Sequence, residues 1–132
     1  MRLCVRILFQ MKRIEVDGDE WQEGRGYRKR RLLSADELRQ PGALLQVVVV
    51  PPGRPPSGGH IPPHRHATSV EVYVVIHGVC ELTVNGARHE LRPGDVVLME
   101  PGDVHELTNH GEEAFELLVF KTNAAPGDTE WR

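Results

Sequence analysis

The chain has 132 residues, of which 39% are hydrophobic and 5% aromatic, and this length suits one domain built around a single core. Its 13 glycines and 10 prolines favour frequent tight turns and argue against a helical bundle. The formal charge of −3 supplies no basic field, so we expect neither nucleic acid nor a membrane as a partner. These properties predict a small all-β domain and exclude a two-domain enzyme.

The N-terminus begins with a short apolar run, Leu3–Phe9. It is interrupted by Arg6 and is followed by no small-residue cleavage site, so we do not interpret it as a signal peptide. Met11 is an alternative start to Met1, and both starts stay open. No apolar stretch in the sequence is long enough for a transmembrane helix.

The two cysteines, Cys4 and Cys80, have no zinc-ribbon or redox spacing. A secreted domain stabilised by disulfides would contain more of them. We therefore expect reduced thiols in a cytoplasmic protein.

A basic run, Arg25–Leu33, precedes the first helix signal. Because it contains few aromatic residues, we interpret it as the solvated face of a strand rather than a nucleic-acid site. The spacing of Ser34 and Glu37 is that of a capping box and predicts a helical turn over Ala35–Arg39. Pro41 and Gly42 end that turn, so residues 1–41 are interpreted as N-terminal strands and a connector.

Short β-branched segments separated by turn residues follow, which is typical of a β-sandwich or barrel. Asn85-Gly86 is the strongest turn signal, because a type I′ hairpin needs positive φ at both central residues. Pro51–Gly59 is rich in proline and glycine and is predicted to be a loop. We assign the barrel to residues 42–121 and a C-terminal tail to 122–132. The predicted strands are Ala43–Val50, Val70–His77, Cys80–Val84, Ala87–Leu91, Val96–Glu100, His105–Asn109 and Ala114–Lys121.

Three histidines and one glutamate have the spacing of metal ligands. On an extended chain, His64 and His66 point to the same face, and Glu71 follows five residues later. Antiparallel folding can bring His105 beside them. Such a donor set leaves open positions on a divalent metal and suits Mn, Fe, Co, Ni, Cu or Zn.

These residues resemble the two signatures of the cupin superfamily, in its small single-domain type-2 form. The first signature corresponds to Gly58-X5-His64-X-His66-X4-Glu71-X6-Gly78. The second corresponds to Gly94-X5-Glu100-Pro101-Gly102-X2-His105-X3-Asn109, with Glu100 standing where the family has proline. The resemblance implies a double-stranded β-helix, also called a jelly-roll barrel. The residues that precede it add extra N-terminal strands and one short helical turn to the predicted fold. The resemblance also implies one divalent metal on His64, His66, Glu71 and His105.

Other polar residues are weaker candidates for the site. Tyr73 shares the inward parity of Glu71 and is either a substrate-facing residue or a packed core tyrosine. His60 and Glu100 are further catalytic candidates. Gln46 interrupts a buried strand and faces the cavity, solvent or a subunit interface. We assign no metal to the remaining histidines, which are His77, His89 and His110.

The resemblance leaves the reaction open. The first hypothesis is a metal-dependent small-molecule enzyme of the oxygenase or oxidase kind. The alternatives are a cupin that binds or senses a small ligand without turnover, and an isomerase-like or decarboxylase-like enzyme whose metal acts as a Lewis acid. We also expect a homodimer that uses strands within Leu3–Val16 and Tyr27–Leu33.

Overall fold

The computed structural model describes residues 11–15, 20–53 and 59–132. Within them, the chain is almost entirely β-structure, with one short helix, α1, over Ala35–Leu38. The strands are β1 (Gln22–Glu23), β2 (Arg28–Leu33), β3 (Leu44–Val50), β4 (His60–His66), β5 (Val70–His77), β6 (Cys80–Val84), β7 (Ala87–Leu91), β8 (Val96–Met99), β9 (His105–Thr108), β10 (Phe115–Thr122) and β11 (Thr129–Trp131).

The strands form two antiparallel sheets in a double-stranded β-helix. Sheet A has the order β1-β2-β3-β10-β5-β8, and sheet B has the order β11-β4-β9-β6-β7. Strands that are distant in sequence lie side by side in both sheets, which is the jelly-roll arrangement. The all-β prediction and the jelly-roll fold implied by the resemblance are both confirmed.

The core lies between the sheets and follows from the alternation of side chains along each strand. Phe115 and Val50 are opposite each other on β10 and β3, and both are fully buried. Leu82 and Leu107 form the equivalent pair on sheet B. Each such side chain contributes roughly 1.5–3 kcal/mol relative to an exposed position. The remaining space between the sheets holds the polar residues described below.

Local sequence signals account for most of the predicted elements. The seven predicted strands form, each within one residue of its predicted ends. The capping box is also present: the Glu37 amide donates to the Ser34 hydroxyl at 3.3 Å, and the Ser34 amide donates to Glu37 Oε1 at 3.1 Å. At the hairpin, Asn85 and Gly86 have φ of 49° and 86°, as a type I′ turn requires.

Strands β4 and β11 were not predicted. Pro62 and Pro63 interrupt β4, and a proline cannot donate to a sheet ladder. The structure accommodates them with a register shift between Ile61 and His64, where β4 pairs with β9. Strand β11 lies in the segment interpreted as a tail, and it pairs with β4 at the edge of sheet B.

The N-terminal part of the chain extends sheet A. Strand β2 pairs with β3 of the same chain and carries the basic run. Most of the predicted strand region Leu3–Val16 lies outside the described residues, as does Cys4, and the described part, 11–15, contains no strand. Cys80 is buried as a free thiol. No helix in the described part of the chain has the length and hydropathy needed to cross a membrane.

Candidate metal centre

Three histidines converge on the inner face of sheet B, and we call them the histidine cluster: His64, His66 and His105. Strands β4 and β9 are neighbours, and His64 is directly opposite His105 in their register. Their rings therefore point the same way, with centroids 4.2 Å apart. His66 lies two residues further along β4 on the same face. One potential ligand nitrogen from each ring lies within 4.8 Å of the other two.

Glu71 reaches the histidine cluster from the opposite sheet. It lies on the inner face of β5, where Lys121 and Met99 are its cross-strand neighbours. Its Oε1 is 2.9 Å from His66 Nε2 and 3.2 Å from His105 Nε2. The structure thus brings together all four residues that the sequence proposes as ligands, and each is at most 8% exposed.

Three atoms at the centre of this group have no hydrogen-bond partner among the described residues. They are His66 Nε2, His105 Nε2 and Glu71 Oε1. The three atoms are close together, but the angles between them fall outside the range of a hydrogen bond. Buried polar atoms are normally paired, and three converging lone-pair donors are what a cation needs. The residues present therefore fit a divalent metal.

Outer hydrogen bonds orient the rings. His64 Nδ1 donates to the Pro62 carbonyl and His105 Nδ1 donates to the Asp103 carbonyl, each at 2.9 Å. When such a ring is neutral, its remaining lone pair is therefore on Nε2, which faces the interior. His66 Nδ1 is 3.1 Å from Thr129 Oγ1 on β11. Such second contacts fix ring orientation at metal centres.

Protonation states also suit a metal. Burial, reinforced by the neighbouring His105, lowers the pKa of His64 to about 4, so its imidazole is neutral at pH 7. Burial alone would raise the pKa of Glu71. The imidazoles of His105 and His66, together with the Lys121 ammonium, instead hold it well below its usual value. Neutral imidazole and ionised carboxylate are the forms that bind a metal.

A cavity of about 270 Å³ lies between the sheets beside the histidine cluster. Tyr73 lines it at 4% exposure, and burial together with the negative charge of Glu71 raises the pKa of its phenol well above the usual value. Gln46 also lines it, at 6% exposure, so the cavity-facing alternative holds for this residue. Neither side chain hydrogen-bonds to any other described residue.

His60 and Glu100 do not line this cavity. His60 alternates with Ile61 and turns away from the interior, where its Nε2 is 2.9 Å from Glu106 Oε2. Glu100 is exposed in the turn after β8. The geometry removes the support for both as catalytic candidates. His77, His89 and His110 are also exposed.

Sequence reasoning missed several residues of the cavity. Trp131 lies on His64, with ring centroids 4.7 Å apart, and the guanidinium of Arg25 lies 4.4 Å from the Trp131 ring. Trp131 lies in the segment predicted to be a C-terminal tail. The other missed lining residues are Tyr27, Lys29, Lys121 and Thr129. Lys121 Nζ is 3.5 Å from Glu71 Oε2.

Asp128 holds β11 against the loop that follows β4. Its carboxylate accepts hydrogen bonds from the backbone amides and the hydroxyls of Thr68 and Ser69. Burial would raise the pKa of Asp128, but these four donors lower it to about 2. The contact places Thr129 and Trp131 at the cavity.

Replacing Asp128 with asparagine should therefore lower the free energy of unfolding by about 2 kcal/mol at pH 7. A depressed carboxyl pKa stabilises the fold above the unfolded value, which is 3.8 here, and that contribution is lost as the pH falls towards 2. The difference between wild type and Asp128→Asn should thus shrink between pH 4 and pH 2, as measured by urea unfolding. The exposed Asp36→Asn is the control, with an effect below about 0.5 kcal/mol. A difference that stays constant with pH would contradict this account.

A protein-family model described as a cupin domain matches residues 46–121. The Oxalate-binding protein of Thermotoga maritima is 26% identical over 88 residues, which are 67% of this chain and 69% of that protein. An uncharacterized protein of Methanocaldococcus jannaschii is 29% identical over 55 residues, or 42% of this chain, and the match spans only 44% of that protein.

The fold also resembles solved structures. One, from Thermotoga maritima and described as a predicted oxalate decarboxylase, superposes with a TM-score of 0.64 at 24% identity. The superposition covers 74% of this chain and 80% of that one. At this identity the likeness concerns the fold.

Proposed function

The chain belongs to the cupin family, since the family model matches more than half of it, and on this premise we propose that it binds a divalent metal and acts on a small organic acid. The proposed ligands are His64, His66, Glu71 and His105. The observation that carries the proposal is the convergence of three buried, unpaired donor atoms from two sheets.

The donor set suits a borderline transition metal, namely Mn, Fe, Co, Ni, Cu or Zn. When bound, such a metal supplies a Lewis acid that polarises a carboxylate or carbonyl oxygen. Lys121 supports this arrangement by its contact with Glu71 Oε2, which leaves Oε1 directed at the histidine cluster.

Charge favours an acid as the ligand. Lys29 and Lys121 line the cavity, and Glu71 is its only carboxylate among the described lining residues. With a divalent metal in place the cavity carries a net positive charge, and a small anion would balance it. The printed names of the relative and of the solved structure from Thermotoga maritima, which both refer to oxalate, support the same class of ligand.

The chain's own groups favour Lewis-acid chemistry of the decarboxylase kind. Tyr27, Tyr73 and the two lysines are proton donors at neutral pH, and burial raises the pKa of both phenols. Loss of carbon dioxide from an acid leaves an electron pair on carbon, which takes up a proton from such a donor. The described lining residues include no free carboxylate or imidazole outside the proposed ligands that would act as a base.

Binding without turnover is the second candidate, and this absence of a base among the described lining residues favours it. The oxygenase-like or oxidase-like activity expected from the sequence stays a prediction.

The test starts with untagged protein loaded with each candidate metal and analysed for metal content. Loaded protein is then incubated with small carboxylic acids, with and without dioxygen, while binding and product formation are followed. Oxygen-independent product formation supports the Lewis-acid proposal. Binding without product supports the second candidate, and oxygen-dependent product supports the oxygenase or oxidase hypothesis. A protein that retains no metal would contradict both enzyme hypotheses and would favour binding without turnover.

We also propose a homodimer formed through the outer face of sheet A. Leu98, Val72 and Phe120 are in register on β8, β5 and β10, and Leu98 and Phe120 are 57% and 37% exposed. Val96, on the edge strand β8, adds to the same apolar face at 65% exposure. Light scattering should return a dimer for the wild type and for Val79→Glu, which lies off this face, but a monomer for Leu98→Glu. A monomeric wild type would contradict the dimer.

A further inference from the structure

The sheet A wall of the cavity carries polar groups that have no partner among the described residues. Gln46 is buried and lines the cavity, yet its carboxamide makes no hydrogen bond to that part of the chain. Lys29 lines the same wall, and within the described residues its ammonium forms no ion pair. Buried polar groups are normally satisfied, so Gln46 and Lys29 are available as partners for a ligand in the cavity.

The sheet register places these groups in a line that leads away from the histidine cluster. Glu71 on β5 is opposite Lys121 on β10. Gln46 on β3 is the diagonal neighbour of Lys121, since its direct partner is Val119. Lys29 on β2 is in turn diagonal to Gln46, because its direct partner is Val48. Long side chains reach across such diagonals.

We propose that Lys29 and Gln46 form an anion subsite that holds a second acidic group of the ligand, so that the ligand is a small diacid whose other end coordinates the metal. This inference rests on the proposed function and names its substrate class. Two strands, β10 and β3, separate β5 from β2, and adjacent strands are about 4.8 Å apart. The second acidic group therefore lies several atoms from the metal-coordinating group, farther than two directly bonded carboxyl groups allow.

The size and charge of the cavity agree with this ligand. A volume of about 270 Å³ equals that of about nine water molecules, which leaves room for roughly ten non-hydrogen atoms. Burial, reinforced by the positive charges of Lys121 and Arg31, lowers the pKa of Lys29 and outweighs the opposing effect of Glu71. The amide of Gln46 adds a hydrogen-bond donor that an acidic oxygen accepts.

The chemistry is that of an anionic oxygen group, which a carboxylate or a phosphate provides. Malate and 2-hydroxybutyrate share the same metal-coordinating end and differ only in a distal carboxylate or methyl group. The pair 3-phosphoglycerate and glycerate tests a distal phosphate in the same way. These compounds are the probes for titration calorimetry on protein loaded with Mn²⁺, after its metal content has been measured.

The wild type should bind at least one of the two diacids at least about tenfold more tightly than its matched monoacid. In Lys29→Met this ratio should fall below about threefold, while the metal content stays unchanged. Lys29→Arg should retain the preference. Lys12→Met is the matched control, because Lys12 is exposed and pairs with Glu37.

The possible outcomes distinguish a failure of the subsite proposal from a failure of the proposed function. If the wild type binds diacid and monoacid equally, or if Lys29→Met keeps the wild-type ratio of the two affinities, the subsite proposal is wrong. The proposal that an acid binds at the metal is then unaffected. Metal-loaded protein that binds none of the four acids overturns the proposed ligand class, and the subsite with it. A stronger preference for the phosphate than for the carboxylate supports the subsite and assigns it to phosphorylated acids.

Discussion

Replacing His64 with alanine is expected to abolish stoichiometric metal binding, with a loss of affinity of at least about 100-fold. Removing a hydrogen-bond partner of a ligand histidine lowers metal affinity 10-fold to 100-fold, so removing the ligand itself should lower metal affinity by more than that. The His64 ring is held by the Pro62 carbonyl and by Trp131, and no neighbouring described imidazole outside the histidine cluster lies there to replace it.

Elemental analysis of untagged protein, combined with competition against a chelator, measures the effect. His89→Ala removes an exposed histidine and is the matched control. Its metal content should equal that of the wild type. Unchanged metal content in folded His64→Ala would mean that the cluster is a packed polar core and that the metal proposal is wrong.

Replacing Trp131 with alanine should weaken metal binding by roughly tenfold and lower the free energy of unfolding by about 2–3 kcal/mol. The indole covers His64 on its cavity side, and it is itself covered by Arg25. Without it, water reaches the His64 ring and the ring loses its packing partner. The loss of stability is smaller than for a fully buried tryptophan because Trp131 is only partly buried.

Trp21→Ala is a close control, since Trp21 also carries a stacked arginine, Arg28 at 4.6 Å, and does not line the cavity. Its metal affinity should match that of the wild type. Chelator competition and urea unfolding give the two readouts. Equal metal affinity in Trp131→Ala and Trp21→Ala would show that Trp131 has no part in the site.

The four proposed ligands can be found from local patterns, whereas their convergence depends on the pairing of β4 with β9 and on the packing of the two sheets. The spacing of His64 and His66 requires only an extended strand, and the parity of Glu71 and Tyr73 requires only an inward face. The turn at Asn85-Gly86 sets the hairpin that precedes His105. Each signal is contained in a few adjacent residues, so the sequence alone is enough to find it.

The rest of the cavity depends on pairings between distant segments. Lys29 faces the interior because β2 pairs with β3. Trp131 lines the cavity because β11 pairs with β4. A basic run and a short polar C-terminal segment give no local indication of either contact. The outward orientation of His60 could not be predicted for a related reason, because the two prolines of β4 hid the strand whose alternation sets it.

The proposed ligands come from both sheets, and this links metal supply to folding. A metal bound to Glu71 of sheet A and to the histidine cluster of sheet B is a cross-link between two layers that otherwise adhere through side-chain packing. At a free metal concentration of a thousand times the dissociation constant, mass action adds about 4 kcal/mol to the folded state. Thermal unfolding at graded metal concentrations should show the midpoint rising with the metal in the wild type and staying flat in His64→Ala. The lifetime of the protein would then depend on how much metal its surroundings provide.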